Sequence, residues 1–154
     1  MKGILLKRWC WHGPSSISAK VMHEILMVRQ EVFILEQCCL YADIDKFDMT
    51  AQHLVGRDSK GYLIAYCRLI GPGEHYQEPA VGRVLVAKSF RGYGIARDLM
   101  RQAERRSEKL YQTRNIRLNA QSYLQAFYET LGYKYVKGPY DEDGISHVEM
   151  LKVD

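Results

Sequence analysis

Ala80-Val81-Gly82-Arg83-Val84-Leu85-Val86-Ala87 is followed, after Lys88-Ser89-Phe90, by Arg91-Gly92-Tyr93-Gly94-Ile95-Ala96-Arg97. The first eight residues are β-rich and read as a strand. The last residues open a strong helix. Ile95, Leu99, Ala103 and Leu110 mark its apolar face; Arg97, Arg101, Glu104, Arg105 and Glu108 mark the other. Gly92 and Gly94 carry no side chain, so main chain can approach a ligand closely there. The first turn of the helix offers free N–H groups at the positive end of its dipole. Together these suit an anion, phosphate above all. Arg91 adds a fixed charge with bidentate geometry.

Two common phosphate motifs are excluded. A Walker A loop requires Gly-Lys-Ser/Thr, and Gly94 is followed by Ile95. A dinucleotide fingerprint requires a third small residue for close helix–strand packing, and Arg97 stands there. The next strand ends at Asn119-Ala120-Gln121, without an acidic residue for a ribose hydroxyl. A nicotinamide cofactor does not fit.

Outward from this segment the chain alternates strands and helices. Ile4 to Trp9 reads as a strand. Gly13-Pro14-Ser15-Ser16 is a turn, and one of the serines can cap the next element. Ala19 to Glu36 is helical, with Val21, Ile25, Val28, Val32 and Leu35 at spacings of three and four. Gln37 to Asp48 reads as a loop. Gln52 to Val55 and Tyr62 to Ile70 form a hairpin. Asn115 to Asn119 is a short strand. A helix follows with Tyr123, Leu124, Phe127, Tyr128 and Leu131 on one face, and Gly132 at its C-cap. Tyr133 to Val136 and Ser146 to Val153 close the chain around a turn at Asp141-Glu142-Asp143-Gly144. The order β-α-β-β-β-α-β-α-β-β predicts a mixed α/β domain with a central sheet flanked by helices, one domain over residues 1–154.

Composition narrows the function classes. The 154 residues are 47% hydrophobic and 26% charged, which argues against a disordered chain. Net charge is +4 and the pI about 8.8, a mild basic bias that suits an anionic ligand but not a nucleic-acid footprint. Arg101, Arg105 and Arg106 are interrupted by Glu104 and Glu108, as on a solvated helix face. No apolar run approaches the roughly 20 residues of a membrane span. Cys10, Cys38, Cys39 and Cys67 lack metal-ligand spacing. With no signal peptide in view, a reduced cytoplasmic protein without a metal is expected. Asp43, Asp45 and Asp48 lack an EF-hand's glycine and terminal glutamate, and a solvated acidic loop is expected.

The remaining pattern, R-x-x-G-x-A after a strand and opening a helix, resembles the pyrophosphate loop of the GNAT superfamily of N-acetyltransferases. Phe127-Tyr128-Glu129-Thr130-Leu131-Gly132-Tyr133 resembles that family's tyrosine before a glycine-aromatic pair. Arg29 to Gln37, Leu118 to Tyr128 and Tyr140 to His147 are similar to the ElaA group of small GNAT proteins. The resemblance runs from about Leu5 to Met150. It implies the GNAT acyl-CoA N-acyltransferase fold, acetyl-coenzyme A as co-substrate, and an amine acceptor on a small molecule or a protein. Family members are often dimers, which makes a homodimer the assembly to consider.

The resemblance also implies roles. Main-chain groups of Leu85 and Val86 would pair with the pantetheine arm as an added strand does, and one N–H would polarise the thioester carbonyl. N–H groups of Gly92, Tyr93, Gly94, Ile95 and Ala96 would hold the pyrophosphate. Arg91 would open that loop, and Arg97 would reach the adenine-side phosphate. Tyr128 would donate a proton to the departing sulfur, since thiols and phenols titrate near ~8.5 and ~10; on its apolar stripe Tyr128 also fits the core. Gln121 stands where many family members have a cofactor-contacting asparagine, and Asn119 is the nearest asparagine. Glu36, Gln37 and His147 are candidate acceptor contacts. The base stays open among Glu36, Asp45, Asp48 and His147. Two other readings are an acyl-homoserine-lactone-synthase-like enzyme, which needs an apolar tunnel, and a non-catalytic acyl-CoA sensor.

Overall fold

The expected order of elements is the observed one. The computed structural model describes residues 6–154. β1 (Leu6–His12) leads to α1 (Ala19–Arg29), β2 (Gln52–Asp58), β3 (Leu63–Ile70) and β4 (Ala80–Val86). Then come α2 (Ile95–Tyr111), β5 (Ile116–Gln121), α3 (Gln125–Glu129), β6 (Lys134–Glu142) and β7 (Ile145–Lys152). Part of the strand expected over Ile4–Trp9 lies outside the described residues; the rest is in β1.

The seven strands form one sheet in the order β1-β2-β3-β4-β5-β7-β6. Five neighbouring pairs are antiparallel, each held over five or six residue pairs. The parallel pair β4–β5 shares a single one, Ala80 with Arg117. Past it the two strands part in the middle of the sheet.

Side-chain alternation builds a core on each face. Leu54, Cys67 and Val86 point toward α2 and pack with Ile95, Leu99, Met100 and Ala103. Their neighbours Val55, Tyr66 and Leu85 point the other way, onto Ile25, Val28, Val32 and Phe33. Each fully buried aliphatic side chain contributes about 1.5–3 kcal/mol. The buried stripe of α2 ends at Ser107, whose hydroxyl donates to Thr113 O at 2.7 Å; Leu110, expected on that stripe, is exposed.

Three local details differ from expectation. Ser18, not Ser15 or Ser16, caps α1 by accepting from Val21 N–H at 3.1 Å, while Ser16 closes the Gly13 turn. The helix reaches Glu36, but residues Gln30–Glu36 are π-helical, with Gln37 N–H bonded to Val32 O at 3.0 Å. The wider turn rotates the stripe, so Phe33 is buried and Leu35 exposed. The final hairpin turns on two residues, Asp143 (φ 53°) and Gly144 (φ 82°), both left-handed as a tight right-twisted hairpin needs. β6 therefore runs on through Asp141 and Glu142.

The expected solvated acidic loop is corrected by three arginines from distant elements. Arg29 is fully buried; its Nη1 lies 2.6 Å from Asp48 and its Nε 3.0 Å from Asp43. Arg68 on β3 bonds Asp45 at 2.6 Å and Asp48 at 2.9 Å. Arg83 on β4 lies 2.9 Å from Asp43. His53 joins them, between Tyr66 Oη at 2.7 Å and Asp48 O at 3.0 Å. This cluster fixes residues 43–48 against the sheet, beside the parted strands. Burial alone would raise the Asp48 carboxyl; the hydrogen bond and charge of Arg29, with the charge of Arg68, outweigh it and hold it below the usual carboxylate range. Asp45 follows the same order: burial raises it, and the hydrogen bond and charge of Arg68 bring it lower.

Asp48→Ala should therefore destabilise the protein by about 3–5 kcal/mol in urea unfolding, because it strands a buried arginine. The wild-type cluster contributes in full above about pH 4, the ordinary carboxylate value, and less as pH falls below it, where the unfolded chain takes up protons first. Stability measured from pH 6 to 3 should fall less steeply in Asp48→Asn.

Candidate active site

The parted strands leave main chain facing a gap. Ala87 N–H donates to Ile64 O on β3 at 2.8 Å. Strand amides alternate sides, so Leu85 also faces β3, and Val84 and Val86 face the gap. Of the two residues expected to offer main chain there, Val86 does so and Leu85 does not. Arg83 sits at φ 52°, where the β3–β4 register slips between Tyr66 and Arg68. Such a bulge bends a strand. Arg83 is held in that left-handed conformation by its bonds to Asp43.

β4 delivers the chain to the glycine loop. Gly92 (φ 86°) and Gly94 (φ 79°) are both left-handed, and a Cβ at either would meet no atom within 4 Å. The glycines thus serve backbone conformation and leave open space in front of the loop. Gly94 is the N-cap of α2 and offers no side-chain acceptor to the first-turn N–H groups of Ile95, Ala96 and Arg97. Tyr93 is exposed beside them.

The charged residues around the loop are placed differently from expectation. The Arg91 fork closes on Glu36, at 2.6 and 3.0 Å, while its Nε donates to Val86 O at 2.8 Å. Arg91 therefore ties the loop both to the end of β4 and to the π-helical segment. Glu36 is engaged by this pair and does not line the cleft that holds Gln37 and His147. Arg97 donates to Thr130 Oγ1 at 3.0 Å and links the start of α2 to the end of α3.

Gln37, Gln121, Tyr128 and His147 are brought together on one cleft in the gap, with Gly82, Arg83 and Val84 of β4 as its floor. Gln121 Nε2 lies 3.4 Å from Gln37 Oε1 and 3.9 Å from the buried Cys39 Sγ. Tyr128 is 5% exposed and packs edge-on against Phe127 and Tyr133, with ring centroids 5.1 and 5.9 Å away. It is a core residue that also lines the cleft. Burial holds its hydroxyl above the ordinary phenol range, so at neutral pH it presents a proton.

The gap opens on one side into a larger cleft of about 260 Å³, walled by Tyr41, Phe47, His75, Tyr76 and Glu142. Asn119 and Glu142 were not among the expected site residues. Asn119 Nδ2 donates to Glu142, and Asn119 Oδ1 accepts from Tyr140 Oη. Their signal lay in segments already singled out for resemblance, but joining them required the pairing of β5, β6 and β7.

Comparison with known proteins agrees with this architecture. The model of the acetyltransferase (GNAT) domain matches residues 27–153. A UPF0039 protein of Synechocystis sp. is 41% identical over 143 residues, 93% of each chain. ElaA of Escherichia coli is 32% identical over 140 residues, 90% of this chain and 91% of that one. The crystal structure of E. coli ElaA superposes with a TM-score of 0.86 at 31% identity, covering 94% of this chain and 98% of that one. That of an acyl-CoA N-acyltransferase from Pseudomonas aeruginosa gives 0.88 at 33%, covering 95% and 99%. A match over most of the chain in both sequence and fold makes this chain a member of the GNAT acetyltransferase family.

Proposed function

We propose that the chain moves an acetyl group from acetyl-coenzyme A to a primary amine, on a small molecule or on a protein, by direct attack. One observation carries the reading: the open edge of β4 leads, through a short 3-10 turn and the glycine loop, to the uncapped N-terminus of α2. An extended arm ending in phosphates has the shape and charge that such a track accepts. The parted strands and the open space before Gly92 and Gly94 fit this co-substrate.

Acetyl-coenzyme A supplies an acyl carbon already activated by its sulfur leaving group. The chain's residues do the rest. First-turn N–H groups from Gly92 to Ala96 hold the phosphates, and Gln121 steadies the arm. Val86 N–H takes the place of an added-strand partner and is aimed at the developing oxyanion. Tyr128 Oη donates a hydrogen bond to the departing sulfur. Because burial raises the phenol further above a thiol, stabilising the thiolate is favoured over complete proton transfer. Gln37 and His147 stand on the acceptor side of the cleft.

Acetyl-coenzyme A should bind the wild type in calorimetry, and Gly94→Trp should weaken that binding by at least about tenfold, one lost phosphate contact or more. The added side chain meets no atom within 4 Å, but φ 79° strains any L residue there, so circular dichroism and thermal unfolding check that the variant is folded. Folded wild type that binds no acetyl-coenzyme A would end this reading. In steady-state assays, Tyr128→Phe should lower kcat by about 10²-fold with little change in acetyl-coenzyme A affinity, as for one lost transition-state donor. Unchanged kcat would return Tyr128 to the core alone.

A further inference from the structure

The acceptor side of the cleft holds a second constellation. His147 on β7 pairs across the sheet with Gln121 at the end of β5, so it stands where the strands part. Its Nδ1 lies 2.8 Å from Ile145 O. A carbonyl can only accept, so Nδ1 carries the hydrogen and the neutral ring keeps its lone pair on Nε2. Nε2 lies 3.8 Å from Glu142 Oε2. Glu142 is in turn held by Asn119, which is itself held by Tyr140. His147 lines both the central cleft that contains Tyr128 and the side cleft that contains Glu142.

The charges around it are uneven. Asp45, Arg68 and Arg83 face the same cleft but are committed to one another. No lysine or arginine among the described residues pairs with Glu142 or Asp143. The neutral titratable groups lining the two clefts are His75, Tyr41, Tyr76, Tyr123 and Tyr128; Tyr140 on β6 pairs with His147 across the ladder. The uncompensated field is therefore negative at Glu142, against a wall in which Phe47 and His75 stack edge to face, 5.0 Å between centroids. A volume of about 260 Å³ is smaller than a drug-sized site and suits a compact ligand.

We propose that His147 is the general base of the transfer, and that the Glu142 cleft selects a small cationic amine with an apolar or aromatic body. The proposal rests on the acetyltransferase reading above. The acceptor enters as R–NH3+, its charge against Glu142 and its carbon skeleton against Phe47 and His75. His147 Nε2 removes one proton and passes it to solvent through the open cleft. The freed lone pair forms the N–C bond as the C–S electron pair goes to sulfur. The second nitrogen proton balances the one the thiolate takes up. The products are the amide, the thiol and one released proton.

The test uses tyramine and tyrosine, which share ring and amine and differ by a carboxylate that Glu142 would repel. Acetyl-coenzyme A binding is measured alongside by calorimetry. Wild type should acetylate tyramine with a kcat/KM at least about tenfold above tyrosine, a difference of one charge contact. His147→Gln should lower kcat by about 10²–10⁴-fold, keep acetyl-coenzyme A binding, and lose the acidic limb of the kcat/KM profile. Glu142→Gln, at a half-exposed hairpin position that tolerates change, should raise KM for tyramine with kcat little changed. Three results overturn the proposal: co-substrate binding with turnover of neither amine, equal use of both, or His147→Gln with kcat and pH profile intact. Failure of wild type to bind acetyl-coenzyme A would instead defeat the acetyltransferase reading itself.

Discussion

A buried strand edge must find partners for its amides and carbonyls, or face something that supplies them. β4 and β5 meet at Ala80 and Arg117 and nowhere else along their length. This puts an unpaired edge in the middle of a seven-stranded sheet, where a sheet is ordinarily most closed. Much of the chain is arranged to keep the strands apart. The bulge at Arg83 bends β4 away, and the aspartates of residues 43–48 hold that bend through ion pairs to Arg83, Arg68 and Arg29. On the far side, β5 is drawn toward β7 by six registered pairs. The cleft is thus a consequence of pairing preferences on either side of it.

The same arrangement leaves main chain exposed at the glycine loop. At the end of β4 the loop turns twice through left-handed glycine conformations before α2 begins. Its arginine, Arg91, is committed to Glu36 and to Val86 O. What remains in front are N–H groups and the helix dipole, which are fixed in direction and cost no side-chain ordering when a ligand arrives. The Arg91 brace and the packing of Phe90 against the core together hold the loop's shape.

The strand–loop–helix segment and the order of elements were legible in the sequence because their signals are local. Periodicity in α2, glycine positions and the Gly132 cap each depend on a few neighbouring residues. What escaped was non-local. Nothing near Asp43, Asp45 and Asp48 in sequence announces Arg29, Arg68 and Arg83, so a buried ionic cluster read as a solvated loop. Register was equally hidden. Whether Leu85 or Val86 turns its amide to the gap depends on which residue of β3 it meets, and Glu142 joins Asn119 only once β6, β7 and β5 are aligned. The π-helical turn rotated Leu35 out of the core for a related reason: its wide hydrogen-bond ring leaves no mark in apolar spacing.

The β6–β7 hairpin closes on Asp143 and Gly144 alone, both at the surface, and Glu142 stands directly beside that turn. One half of the cleft is therefore written in backbone and the other in side chains next to a loop tip. Loop tips accept insertion and exchange with little loss of stability. A lineage carrying this fold can lengthen or recolour the hairpin and reshape that side of the cleft while the glycine loop, on other elements, stays as it is. Divergence of one side without divergence of the other is built into where that two-residue turn falls.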